Sequence, residues 1–431
     1  MPNAQTVVTS ESEKYKKRWI GLCKFLDQWF YRPDYEALRI AICVYVAHHY
    51  LDENPICLYV IGPPGSGKTS IVLKALSYLD NVHPVTDLTT NSFISGFGDG
   101  KAGLLYDMAK MPHARKSTHG VLTFPDFTGF LQKNENVRDE VMGQIRQLWD
   151  GRLVKPTGNR NKPIDWSGKV SLVAATTPAI EQFYKLNGEL GERFLSVRWP
   201  NWEHKKVVEW AMRQVGHENE INSEFMKRVR AFVDKEQLNL VDIEIDGSRM
   251  NEIKAAAILL AKSRCPVSRE KGGSRSITDV PQPEYPTRII KAACQIIKAN
   301  ACVARRGGIL DSDLKFAKRV IVDSIPSRRK RILDWIPLNE SIRWMDLMVM
   351  SGIRPATFIR TMEDMKALGI VTGFKDKYND LDSFQQADDD EVMETNEYKS
   401  VRYTKKFREL IVQSGIQLRS MTGATYEPIP D

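Results

Sequence analysis

Apolar positions recur at helical spacing near the start of the chain. After a polar stretch over residues 1–12, Trp19, Leu22, Leu26 and Phe30 share one face until Pro33 ends the run. A second helical pattern covers Tyr35 to Tyr50. Ile56-Cys-Leu-Tyr-Val-Ile61 then has the length and β-branched content of a buried strand, and it leads through a glycine-rich turn into an apolar-periodic helix over Ser70 to Leu79. Two further apolar runs, Gly120 to Phe124 and Val170 to Ala175, flank a helical stretch over Val137 to Trp149. Strands alternating with helices predict a mostly parallel, covered sheet. From Glu203 to about Ser324 the pattern is helical, broken by a loop over Ser263–Ser276, and no strand stands out. Past Pro326 and the basic run Ser327-Arg-Arg-Lys-Arg331, the pattern gives a helix (Ser341–Met350), a turn with Gly352 and Pro355, a second helix (Ala356–Leu368) and a short strand, Ile370-Val-Thr372. A strand-like stretch, Tyr398–Tyr403, follows an acidic segment poor in apolar residues, Asp380 to Glu397.

Length and composition narrow the class. A chain of 431 residues should hold two or three domains, and 42% hydrophobic with 27% charged residues is globular composition. The formal charge of +8 and the short basic runs make a polyanionic partner plausible. The six cysteines are scattered, with no Cys-x-x-Cys and no clustered histidines, which argues against zinc ribbons and disulfide frameworks and for a reduced, cytoplasmic protein. The N-terminal region has no apolar signal core, and no run approaches the roughly 18 uncharged apolar residues of a membrane span, so no membrane association is expected.

The chemistry concentrates in Gly62-Pro63-Pro64-Gly65-Ser66-Gly67-Lys68-Thr69, which fits G-x-x-x-x-G-K-[ST] between a strand and a helix that opens at Ser70. Glycines let backbone N–H groups turn inward around a phosphate, and the helix start adds unpaired donors and a positive dipole end. Lys68 supplies a point charge to the β/γ-phosphate oxygens, and Thr69 a hydroxyl for Mg²⁺, so ATP and Mg²⁺ are the expected cofactors. Hydrolysis also needs acids at the tip of a neighbouring strand, one for the metal and one to polarise water. Val121 to Phe127 offers one carboxylate, Asp126, after Pro125. In one register Asp126 polarises water and Pro125 stands where the metal-side acid would be. In the other Asp126 serves the metal, and Glu135 or another acid handles water.

With these motifs in this order, residues 35–325 resemble the AAA+ ATPases, in particular the branch with a hairpin before sensor 1 that includes minichromosome-maintenance helicases and MoxR proteins. Gly120–Phe127 is similar to the Walker B strand of those helicases, with Pro125-Asp126 in place of an acidic pair. Gly151–Lys162 looks like the hairpin, Val173-Ala-Ala-Thr-Thr177 the sensor 1 strand, Gly191-Glu-Arg193-Phe194 the arginine-finger segment, and Pro286-Thr-Arg288 sensor 2. The resemblance implies that Thr177 orients water and that Arg193 reaches a neighbouring subunit's γ-phosphate, hence a homo-oligomer, most simply a hexamer. It implies a sensor role for Arg288, with Arg264 and Arg269 as rivals. It also turns the hairpin, with Lys155, Arg160 and Lys162, toward nucleic acid in a ring pore. The basic segment Lys110 to His119 is a weaker candidate for a second pore loop.

The C-terminal order of elements resembles a winged helix-turn-helix. Thr357, Arg360 and Lys366 on its second helix, with Arg354 in the turn before it, are candidates for a DNA groove, although Glu363 and Asp364 share that helix. The expected fold class is α/β: a P-loop core with a parallel sheet, an α-helical lid and a C-terminal winged helix-turn-helix. The expected boundaries are an N-terminal helical extension over 1–34, the core over 35–202, the lid over 203–326 and the winged unit over 327–431, with a flexible acidic wing insert at about 375–397. Three functions remain open. One is a DNA-coupled motor, a replicative helicase or helicase loader of a phage or mobile element that works with replication proteins. The second is an ATP-switched transcription regulator, and the third a MoxR-like remodelling chaperone.

Overall fold

The computed structural model describes residues 10–51, 54–95, 103–109, 120–156, 163–183, 193–234, 238, 243–270, 275–374 and 400–418. Contacts divide the chain into two units. The first comprises Met1–Ile180, Arg193–Asp246 and Lys291–Val320, and the second Glu181–Glu192, Gly247–Ile290 and Ile321–Asp431. The stretch 203–326 therefore contributes to both.

The first unit is built on a five-stranded parallel sheet. Its strands are β1 (Cys57–Ile61), β2 (Val82–Pro84), β3 (Gly120–Phe124), β6 (Val170–Thr176) and β7 (Phe194–Arg198), in the spatial order β2-β3-β6-β1-β7. Every residue of β1, β3 and β6 is buried, as strands covered on both faces require. Register is set along the whole of β1, which pairs Cys57 with Leu172 on one side and with Phe194 on the other. Tyr59 of β1 stacks on Phe194 with ring centroids 4.0 Å apart. Between helix Glu135–Trp149 and β6 lies an antiparallel hairpin of β4 (Arg152–Lys155) and β5 (Ile164–Ser167). Leu153, Ile164 and Trp166 face inward, while Arg152 and Asp165 form an exposed ion pair across the strands. The turn of this hairpin, with Arg160 and Lys162, lies outside the described residues.

Helix Ser10–Trp29 packs against helix Glu218–Phe232. Between them Arg39 of helix Tyr35–Tyr50 lies over Tyr15, Trp19 and Phe232 at 4.8–5.1 Å from their ring centroids, and its Nε donates to Asn300 at 2.6 Å. The same helix is capped by Asp34, which accepts from the Ala37 N–H. Arg319 forks onto Asp34, reaches Glu36 at 3.0 Å and donates to the Arg198 carbonyl, tying the cap to the end of β7. The helix after the glycine-rich turn opens as a π turn over Thr69–Leu73 and continues as Lys74–Ser77.

In the second unit helix Gly247–Arg264 packs on helix Lys405–Ser414. The stretch read as a loop over 263–276 contains part of a short antiparallel pair, Ser268–Arg269 with Ile277–Asp279. A three-stranded antiparallel sheet has the order Ile342–Arg343, Ser400–Tyr403, Val371–Phe374. Helices Trp344–Ser351 and Pro355–Ala367 are joined at Gly352, whose φ of 59° is left-handed. The basic run falls in helix Ser327–Leu333. There Arg329 and Lys330 are buried, Arg329 donating to the Ser263 and Cys265 carbonyls and Lys330 paired with Asp334. Those two cations serve the interior of the unit. All six cysteines are free thiols. Among the described residues, no helix is long and apolar enough to cross a membrane.

Candidate nucleotide site

The glycine-rich loop leaves the sheet at its most constrained strand. Beyond β1, the Gly62 N–H donates to the Thr176 carbonyl at 3.0 Å and the Trp199 N–H to the Ile61 carbonyl at 2.7 Å, so both neighbouring strands grip the chain up to the loop. A Cβ at Gly62 would stand 2.6 Å from the Trp199 Cβ, which explains why glycine is needed there. Gly65 and Gly67 adopt φ of 70° and 88°, the left-handed region that glycine enters freely. Pro63 is half-buried, and Pro64 and Ser70 are exposed. Lys68 is 7% exposed and donates from Nζ to the Pro63 carbonyl at 2.9 Å. Burial pushes its ammonium below the ordinary lysine range, and nearby Asp126 partly offsets this. The Ser66 Oγ is buried without a hydrogen-bond partner. Left-handed glycines, a desolvated cation and an orphaned hydroxyl in one loop suit an oxyanion ligand, so the residues present fit a nucleoside triphosphate.

Opposite the loop, β3 ends at Phe124 and the chain turns through Pro125 and Asp126 into helix Phe127–Leu131. The Thr69 hydroxyl donates to the Pro125 carbonyl at 3.3 Å. Asp126 is exposed, and its Oδ1 caps the helix by accepting from the Thr128 N–H at 3.0 Å. Thr177 follows β6 directly. Its N–H donates to the Thr128 Oγ1 at 3.1 Å, and the Thr128 hydroxyl lies 3.4 Å from Thr177 Oγ1 and 3.5 Å from Thr176 Oγ1. The ends of β1, β3 and β6 thus carry Lys68 and Thr69, Asp126, and Thr177. Thr128 was not foreseen, because a hydroxyl two residues past an acid has no spacing signature. Glu135 begins the next helix, exposed and 3.8 Å from Arg138.

The remaining candidates are distributed elsewhere. Arg193 precedes β7, stacks over Trp149 at 5.6 Å and pairs with Asp150 at 3.3 Å, leaving its side chain 11% exposed. Lys155 donates to the Thr90 carbonyl and to Asn91 Oδ1 at 2.6 Å, where Gln144 also reaches Thr90; its ammonium is engaged by the loop after β2. In the second unit Arg264 is buried against Glu284, and Arg269 is held by Glu363 and Asp364. Of the three sensor candidates Arg288 has the most open side chain, 36% exposed and 4.0 Å from Glu284. Arg354 is exposed, Thr357 and Arg360 are half-buried, and the Arg360 carbonyl accepts from Arg269. Arg160, Lys162 and the segment 110–119 lie outside the described residues.

Residues 58–198, from β1 through β7, match the sequence profile of the family described as ATPase family associated with various cellular activities (AAA). No curated protein matches the chain. The similarity of this segment to AAA ATPase domains supports nucleotide binding and a general ATPase activity.

Proposed function

We propose that this protein is an oligomeric Mg²⁺-dependent ATPase that couples hydrolysis to DNA binding or translocation, in the role of a replicative helicase or helicase loader of a phage or mobile element. The observation that carries the ATPase part is the convergence of Lys68, Thr69, Asp126 and Thr177 at the ends of three adjacent strands. Loop N–H groups and Lys68 would hold the β- and γ-phosphates, and Thr69 would hold the magnesium ion, which supplies charge neutralisation when bound. The Thr69–Pro125 contact favours the register in which Pro125 occupies the metal-side position and Asp126 orients and polarises the attacking water. Arg193 would complete a neighbour's site only by leaving Asp150 and Trp149, so oligomerisation and release of that brace would be coupled.

For DNA, the support lies in each unit separately. The first inserts the β4–β5 hairpin between helix and strand. The second has a helix-turn-helix followed by antiparallel strands, read here as a winged helix. Its Glu363 and Asp364 are both ion-paired with Arg269, and Asp364 also lies 3.9 Å from Arg329, which lessens the electrostatic objection to a DNA contact by Arg354, Thr357 and Arg360. The single carboxylate at the end of β3 favours a second reading, an ATP-switched transcription regulator that turns over slowly.

The test is the ATPase rate with and without single-stranded and duplex DNA, together with strand displacement. The motor reading expects stimulation and displacement. Tight sequence-specific duplex binding without displacement supports the regulator, and indifference to all DNA refutes both and leaves protein remodelling.

A further inference from the structure

Asp126 and Thr177 belong to different strand ends, and something must hold the spacing between them. Thr128 touches both. Its N–H donates to Asp126 Oδ1 at 3.0 Å, and its Oγ1 accepts the Thr177 N–H at 3.1 Å. Its hydroxyl is placed to donate to Thr177 Oγ1 at 3.4 Å, with Thr176 Oγ1 at 3.5 Å, and Thr177 Oγ1 also accepts from the Ala179 N–H at 3.4 Å. A hydroxyl has two acceptor sites and one donor. With both acceptor sites of Thr177 used from behind, its own O–H is left to donate.

We propose that Thr128 is a positioning residue of the ATPase site: it fixes the distance between Asp126 and Thr177 and orients the Thr177 hydroxyl as a hydrogen-bond donor toward the γ-phosphate or the attacking water. The inference rests on the ATPase reading above and deepens it. Thr128 is half-buried and joined to the fully buried Thr176, so the bridge is anchored in the sheet. Proton and water placement depend on such alignment far more than ground-state binding does, so loss of the bridge should reach turnover and spare affinity.

The test compares Thr128→Val, which keeps the shape and removes the oxygen, with Thr128→Ser, which keeps the oxygen and removes the methyl. Steady-state ATPase should show kcat reduced roughly tenfold or more in T128V with KM within about twofold, and T128S within about threefold of the unsubstituted protein. Melting curves establish that both variants fold. Amide hydrogen exchange gives an arm independent of turnover: the Thr177 N–H should lose protection in T128V and keep it in T128S. Unchanged kcat in T128V would overturn the proposal, as would a T128S defect as large as that of T128V, since packing alone would then explain both. Absence of turnover in the unsubstituted protein would instead sink the ATPase reading, and the exchange arm would still decide whether Thr128 holds Thr177.

Discussion

Replacing Gly62 by alanine adds one methyl group at the point where the phosphate loop meets Trp199. The new Cβ would stand 2.6 Å from the Trp199 Cβ, whereas ordinary contacts begin at 3.4 Å, so one partner must retreat by about 0.8 Å. Trp199 cannot easily do so, because it is 5% exposed and its N–H is bonded to the Ile61 carbonyl. Overpacking of this kind costs about 1–3 kcal/mol. In a unit of this size that lowers the melting temperature by about 2–4 °C per kcal/mol. The displacement falls on the backbone that would grip the phosphates, so nucleotide affinity should drop as well, by about tenfold for each 1.4 kcal/mol that binding must spend restoring the loop. Thermal melting and titration with a fluorescent ATP analogue read the two effects. Gly216→Ala is the control: φ of 84° strains any other residue there, but open space surrounds it, so stability should fall by about 1–2 kcal/mol with affinity intact. If G62A melts and binds like the unsubstituted protein, Trp199 is not seated against the loop and the geometry given for the site is wrong.

Other outcomes follow from the same residues. Lys68→Ala should abolish ATP binding, read in the same titration. Because burial holds Lys68 below the ordinary value of 10.5 and bound phosphates would raise it, ATP binding should take up protons in the window between the lowered value and the raised one. Calorimetry in buffers of different ionisation heat measures the uptake, and binding with no uptake at any pH up to the ordinary lysine value would refute the lowered Lys68. Asp126→Asn keeps the helix cap and loses the charge, so hydrolysis should fall by about 10²–10⁴-fold with affinity retained. Arg193→Ala should bind ATP and lose turnover, and mixing it with Lys68→Ala should regain activity; a verified mixed assembly that stays inactive would count against a shared site.

The parts of the fold that could be read from residues alone were those dictated by backbone geometry or by burial on two sides. Gly62 to Thr69 was legible because left-handed turns and close approach leave few alternatives, and β1, β3 and β6 because strands covered on both faces must be continuously apolar. The second arm of the hairpin, Ile164-Asp-Trp-Ser167, escaped because alternation over four residues is too short a signal. Helix Lys405–Ser414 escaped although Thr404 caps it through the Phe407 N–H. Charge was read least well. Arg329 and Lys330 look in sequence like a basic surface and are buried, while Lys155, a candidate for nucleic acid, is occupied by the loop after β2. Which partner neutralises a cation is a tertiary fact, and so is the hydroxyl bridge at Thr128.

The strand that carries the phosphate loop is flanked on each side by another strand along its full length. Breaking it out requires separating it from both neighbours, whereas Val82–Pro84 at the rim can fray alone. Heat or a protease should therefore erode the periphery first while substrate capture survives, and the ability to hold nucleotide should vanish only with global denaturation, in a single cooperative step.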